Sequence, residues 1–421
     1  MLNATPQPAR ETAALSSDHN PALDGLRGAA MLLVILNHAI AVPLLTATTG
    51  FDTAVSKIAF GGWVGVDIFF VLSGFLITGI LLDTAGRPGW WTSFIMRRGL
   101  RVFPLYYGVL VFLFLILPRL VRWDEPAFAT LQANQRWYWG YGVNLLYAFT
   151  RGEGTPLNTG HFWSLSIEEQ FYVVWPLVVW ACTPRRLLRV IALTMIGGLA
   201  FRLALVLHDP GNARAVYFLT PGRLDTLMTG AALAVVARMP GGLARLEGLA
   251  PGAIGAGVIT LGSLVLLRGT LNPGDPVLAV AAFPLVALVF GAVLVMAVTQ
   301  PPTGRLARVL RRDWLRKWGT YSYGIYVIHL PLLGAIEYKT KFYQHGVALL
   351  GGSRLPSVLL LAAVAASASY AFGYMSYHLY EKRFLELKRY FARPSAARAG
   401  APLETRLALL QSRSSASPPV M

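Results

Sequence analysis

The sequence predicts an all-α, polytopic membrane protein with about ten transmembrane helices and both termini cytoplasmic. Three observations lead there. Of 421 residues, 55% are hydrophobic and only 14% are charged, where a soluble domain carries about a quarter of its residues as Asp, Glu, Lys or Arg. The mean hydropathy of +0.52 reflects more apolar side chain than one globular core can bury. Several stretches also reach the roughly 20 consecutive apolar residues that cross a bilayer. An ordinary cytosolic enzyme and a disordered regulator are both excluded.

The expected spans are 27–45, 62–82, 102–118, 163–182, 189–207, 223–237, 251–268, 277–298, 319–337 and 357–380. With the N-terminus inside, the inner segments hold 25 of the 37 Lys and Arg residues and the outer loops 9, as the positive-inside rule requires. An additional crossing at the aromatic stretch 137–149 (WYWGYGVNLLYAF) would move Arg185, Arg186 and Arg189 outside. That stretch is therefore expected to lie at the outer interface. Neither a 20–50-residue repeat nor a pairing of span lengths into inverted halves is evident.

Around this core, 23–385, residues 1–22 are expected to be a disordered tail and 386–421 a basic, largely disordered one. No cleavable signal is expected in the polar N-terminus. The net charge of +17 is read as topology and lipid contact rather than nucleic-acid binding, because no compact soluble basic domain exists to hold a nucleic acid. Cys182 is the single cysteine, which excludes an intrachain disulfide, a cysteine-based metal site and a redox pair.

A charged or ionisable side chain inside a span is costly and needs a partner or a task. In the first span, LDGLRGAAMLLVILNHAI, His38 follows Arg27 by eleven residues, which places it about 16 Å deeper at 1.5 Å per residue. A neutral imidazole near mid-bilayer suits a general base; a histidine bridging two helices is the structural alternative. The fourth span, HFWSLSIEEQFYVVWPL, carries Glu168 and Glu169. Glu169 shares a face with Leu165 and Tyr172, and Glu168 points about 100° away. A buried carboxylate there can orient His38 or contact an acceptor hydroxyl, or simply be solvated at the interface. His329 in YSYGIYVIHLPLL is a second candidate for proton handling or acceptor contact, with a helix–helix hydrogen bond as the alternative.

The second span, GWVGVDIFFVLSGFLITGI, holds Asp67 and Ser73 among small residues, Gly65, Gly74 and Gly79, that permit close helix approach. Ser73, His38 and Asp67 can be written as a triad, but no nucleophile elbow surrounds Ser73. Arg97, Arg98 and Arg101 in MRRGLRVFPLYY form a cluster suited to phosphate, or to topology and lipid headgroups. Arg223 and Asp225 in PGRLDTLMTGAAL can pair with each other or touch an acceptor.

Taken together, these segments resemble the membrane-bound acyltransferase-3 family, which includes the O-antigen acetylases. The resemblance covers about residues 22–385. It rests on LDGLRG, the Arg27-x10-His38 spacing, GVDIFFVLSGFLIT, the Arg98-x-x-Arg101 pair, FWSLSIEEQFYVVWP, GRLDTLMTGAAL, SYGIYVIHLPL and YEKRF occurring in that order. It implies a ten-helix core that takes an acyl group, commonly acetyl, from cytoplasmic acyl-CoA (acetyl-CoA) and places it on a hydroxyl of a carbohydrate. No permanently bound cofactor or metal is expected.

Carried over from the family, His38 is the catalytic histidine and Glu169 the acidic position of the fourth span, with Glu168 less defined. Arg27, Arg98 and Arg101 match the functional arginines, and Arg97 joins them as a donor-binding residue. Asp67, Ser73, Glu168, Tyr172, Arg223, Asp225 and His329 are the expected acceptor-side residues. His38 either activates the acceptor hydroxyl or carries the acyl group itself. The expected acceptor is an envelope or exported polysaccharide, with a small metabolite such as a macrolide as the alternative. A polysaccharide-lipid flippase is the rival from another class. Some relatives append an extracytoplasmic hydrolase-like domain, and such a step is expected here in a separate protein. The expected location is the bacterial cytoplasmic (inner) membrane.

Overall fold

A computed structural model describes residues 20–46, 49–120, 126–156, 158–340 and 352–391. These residues fold into helices and turns, with no β-strand among them. The principal helices are α1 (Pro21–Leu36), α2 (Val64–Thr84), α3 (Trp90–Val111), α4 (Phe162–Ala181), α5 (Pro184–His208), α6 (Leu224–Val236), α7 (Ala250–Arg268), α8 (Pro276–Thr299), α9 (Ser322–Thr340) and α10 (Leu355–Met375). Each expected span falls on one of them.

Among the described residues, seven helical runs are long and apolar enough to cross a membrane. The other three differ for identifiable reasons. α4 carries Ser164, Ser166, Glu168, Glu169 and Gln170 in its first half. α6 has 13 residues, about 20 Å at 1.5 Å per residue, and continues a 3₁₀ turn at Thr220–Arg223. The apolar part of α9 is Ser322–Ile336. The stretch 137–149 forms two short helices, Gln135–Trp139 and Val143–Phe149, neither long enough to cross.

α1 starts where the Asn20 side chain accepts from the Ala22 backbone N–H at 3.0 Å and Pro21 takes the first helical position, a favourable start because proline lacks an N–H that would be unpaired there. Helix therefore already includes Pro21 and Ala22, which were expected in the disordered tail; residues 1–19 lie outside the described residues. At its far end α1 widens into a π turn, Asn37–Ala41, held by Asn37 Nδ2 donating to the Phe60 carbonyl at 2.7 Å. π turns inside helices are rare and concentrate at functional sites. His38 sits in this one.

The expected tail from 386 also begins too early. α10 continues through Ser376–Glu381 and Lys382–Glu386 into a 3₁₀ turn, Leu387–Phe391. That turn docks on α3: Arg97 Nη1 donates to the carbonyls of Lys388 (3.0 Å) and Phe391 (3.3 Å), and Ser93 Oγ to Phe391 (3.2 Å). Residues 392–421 lie outside the described residues.

Without a hydrophobic driving force between helices in lipid, close approach depends on small residues. α2 and α6 cross backbone to backbone. A Cβ on Gly74 would come 1.9 Å from the Leu227 carbonyl oxygen, and one on Gly230 2.0 Å from that of Val71. α1 is clasped in the same way by the helix Asp313–Thr320, where a Cβ on Gly319 would meet the Asp24 carbonyl oxygen at 1.8 Å. Gly65 and Gly74 act as expected, whereas Ser73 and Gly79 serve polar contacts. Gly74→Ala must push two main chains apart, an overpacking cost of about 1–3 kcal/mol. We expect a lower unfolding midpoint for the purified protein in detergent; a wild-type midpoint would show that the crossing yields freely.

Candidate active site

A chamber of about 820 Å³, including its mouth, opens between α1, α2, α3, α4 and α9. Its polar lining is Arg27, Ser73, Arg98, Arg101, Ser164, Glu168, Tyr172, Ser322, Tyr323 and Tyr326; Phe69, Phe70, Leu72 and Leu76 supply the apolar wall. The three arginines come from two helices. Arg27 is one and a half turns into α1, and Arg98 and Arg101 are successive turns of α3. The α3 arginines thus lie on a helix that begins well before the expected span 102–118.

Arg27 pairs with Asp24 at 2.7 Å. Among the described residues, neither Arg98 nor Arg101 forms a salt bridge, although Glu168 and Glu381 act on them at longer range. Arg98 and Arg101 both lie close enough to Arg27 to repel its guanidinium. Arg98 lies over the Tyr172 ring, 4.6 Å from its centroid, and its Nε is buried without a hydrogen-bond partner. This is a half-buried cationic cluster with hydrogen-bonding capacity unfilled, the property an anion site needs. Arg97 does not belong to it. Its side chain anchors the 3₁₀ turn at Leu387–Phe391 and lines an adjoining recess of about 530 Å³ with Trp90 and Lys388, which Arg98 borders from the chamber side.

Of the two glutamates, Glu168 faces the chamber, together with Leu165 and Tyr172. These three positions, spaced i, i+3 and i+7, fall on one helical stripe. Glu168 interacts with the hydroxyls of Ser73 and Tyr172, which are themselves hydrogen-bonded at 2.5 Å. Glu169 stands on the adjoining face near the hydroxyls of Tyr106, Tyr107, Tyr141 and Tyr323. Of the two, Glu168 lines the chamber, while Glu169, the acidic position expected in the site, stands beside it within electrostatic reach of Arg98.

The far wall of the chamber is Ser164 and Tyr326, whose hydroxyls are 2.5 Å apart. Behind it lies a histidine cluster. His38 Nδ1 is 3.2 Å from His329 Nε2, and His329 Nδ1 is 2.6 Å from the Tyr326 carbonyl. A carbonyl only accepts, so His329 Nδ1 carries the proton and its Nε2 a lone pair. His38 Nδ1–H then donates to that lone pair, which leaves Nε2 of His38 as a basic nitrogen. His329 and the Val34 carbonyl thus orient the His38 ring, rather than the carboxylate considered from the sequence. A third ring, His161, lies 5.1 Å from His329. Sequence reasoning passed over it, because nothing in HFWSL reports contact with a residue 168 positions away.

Asp67 and Arg223 do not line the chamber. They form a fully buried ion pair at 2.7 Å, and Asp225 pairs with Arg202 at 2.6 Å. The expected Arg223–Asp225 pairing is therefore exchanged. The Arg223 guanidinium also lies 4.1 Å from the Phe283 centroid and 4.6 Å from that of Tyr217. With Ser73 bonded to Tyr172 and Asp67 to Arg223, the Ser73–His38–Asp67 triad is not assembled.

The family model described as an acyltransferase domain matches residues 20–382. The chain belongs to the acyltransferase-3 family. It is 31% identical over 345 residues to the peptidoglycan O-acetyltransferase OatA of Listeria monocytogenes, covering 77% of this chain and 51% of that protein. It is 33% identical to YrhL of Bacillus subtilis over 334 residues, 74% and 48% of the two chains. To the O-acetyltransferase OatA of Staphylococcus aureus it is 28% identical over 370 residues, 84% and 56%. The chain thus spans about half the length of the curated relatives it matches. No solved structure is a significant match.

Asp67→Asn in this acyltransferase domain strands a buried guanidinium, at a cost of roughly 3–5 kcal/mol. We expect little folded protein after membrane extraction, and recovery of most of the yield in Asp67→Leu/Arg223→Met, which removes both charges. Wild-type yield from the single variant would contradict the pairing.

Proposed function

We propose that this chain is an integral membrane O-acyltransferase of the bacterial cytoplasmic membrane that moves an acetyl group from cytoplasmic acetyl-CoA to a carbohydrate hydroxyl. The relatives named for peptidoglycan O-acetylation make a cell-wall glycan the first acceptor to test, ahead of other exported polysaccharides and small metabolites. One observation supports this reading most directly: three arginines line a chamber whose Ser164–Tyr326 wall backs onto a histidine pair, and the hydrogen bonding of that pair leaves one basic nitrogen.

In this reading Arg27, Arg98 and Arg101 take the diphosphate of the donor, and the apolar wall accommodates its extended arm. His38 Nε2 removes the proton from the acceptor hydroxyl as the oxygen bonds to the thioester carbonyl carbon. The carbon–sulfur bond breaks, and the departing thiolate recovers the proton from His38. His329 holds the ring in the required tautomer and shares the charge that develops on it. Glu168, bridging Ser73 and Tyr172, positions Tyr172 beneath the Arg98 guanidinium. An extracytoplasmic partner enzyme would pass the group onward where the final acceptor lies beyond reach of the membrane.

Two measurements test this. Membranes given radiolabelled acetyl-CoA should label glycan with wild type, and His38→Ala at matched expression should lower the rate by roughly 10²–10⁴-fold, the usual worth of a general base. Equal labelling would remove His38 from the chemistry, and label retained on wild-type protein without acceptor would make His38 the acyl carrier. Separately, Arg101→Met should raise KM for acetyl-CoA by about tenfold or more, the worth of charge-assisted hydrogen bonds, whereas Arg97→Met should leave that KM near wild type. Equal effects of the two would merge the recess with the donor site.

A further inference from the structure

Pro331 lies inside α9. A proline has no N–H, so the carbonyl four residues earlier, that of Val327, loses its helical donor. A buried carbonyl without a donor is costly and is almost always satisfied by another group. Here that group is His161, whose Nε2 is 3.2 Å from the Val327 oxygen. The other ring nitrogen, Nδ1, is 3.2 Å from the Asn158 carbonyl. The His161 side chain is buried at 3% exposure. Both nitrogens face carbonyls, which only accept; a neutral ring carries one N–H, and its Nε2–H tautomer gives that proton to Val327, so neither nitrogen is available to a substrate.

The bridge sits one turn from the reacting pair. Tyr326 and His329 flank Val327 on α9, and the Tyr326 hydroxyl donates to the His161 carbonyl at 3.0 Å. The start of α4 therefore grips α9 twice, through the His161 ring and through its backbone. The gripped turn is the one whose Tyr326 carbonyl fixes the His329 tautomer. The His161 ring also packs against that of His329 at 77°, nearly edge to face.

We propose that His161 is a positioning residue for acyl transfer: its ring replaces the helical hydrogen bond that Pro331 removes and so holds His329, and through it His38, in register. The inference rests on the acyl-transfer reading, but the geometry it describes can be tested without activity. In His161→Phe the ring volume stays and the donor is lost, leaving the Val327 carbonyl unpaired. In His161→Phe/Pro331→Ala the residue-331 N–H returns to that carbonyl. His161→Gln keeps a side-chain N–H at similar reach.

The experiment measures acetyl transfer at varied acetyl-CoA and pH, together with the rate at which diethylpyrocarbonate modifies His38, read by mass spectrometry on full-length protein in membranes. We expect His161→Phe to lower kcat by roughly 10²-fold, the effect of a displacement of about 1 Å at a reacting group, with KM for acetyl-CoA little changed. The His38 modification rate should shift with it. Both should return most of the way in His161→Phe/Pro331→Ala and in His161→Gln.

A double variant no better than His161→Phe would overturn the proposal, as would a change confined to KM. If His161→Phe does not fold, His161→Gln and Pro331→Ala/His161→Gln carry the same comparison, and a Gln variant with lost kcat that Pro331→Ala leaves unrepaired overturns it. If wild type transfers no acetyl group, the acyl-transfer reading fails, while His38 modification still decides the positioning role: a rate identical in all variants rejects it.

Discussion

A fully buried guanidinium has to be answered by an anion, and that demand organises this protein. Arg202 and Arg223 have essentially no exposed surface. Each is met by an aspartate from a neighbouring helix, so α2, α5 and α6 are joined by charge where lipid offers no hydrophobic incentive for helices to associate. The glycine crossing of α2 on α6 serves this pairing, because it brings the helices near enough for the side chains to meet. The same α2 then turns Ser73, Leu72 and Phe69 toward the chamber. The chamber has a defined shape because its back wall is anchored from behind.

The membrane class and every principal helix were legible in the sequence, since runs of apolar residues have no other stable home. Family membership was legible as well, carried by several short motifs in a fixed order. What could not be read was which polar residue meets which. Glu168 and Glu169 are adjacent, about 100° apart around the helix, so a rotation of about half that angle exchanges which one faces the chamber; only the packing of α4 against α2 and α3 decides it. Arg223 and Asp225 looked like partners because they are near in sequence, yet each found its counter-ion on another helix. Arg202 offered a signal, as a charge in mid-span, without a way to name its partner.

The histidines show the same division. The depth of His38 and His329 followed from counting residues along each helix. Their contact did not, because it depends on the crossing of α1 and α9 and on a π turn that helical periodicity cannot forecast. Tail boundaries failed for a simpler reason. Lys388 and Arg389 look like solvent-exposed tail residues, but the main chain that carries them is held by Arg97.

On the proposed reading, the arginine cluster has one more effect. It grips the phosphates of the carrier, a region that acyl transfer leaves chemically unchanged. Contacts made equally before and after the reaction bind without accelerating. The spent thiol therefore occupies the chamber as readily as the loaded thioester and competes with it for entry. Turnover would then follow the ratio of the two pools in the cell, rising and falling with acetyl supply, rather than the concentration of either one.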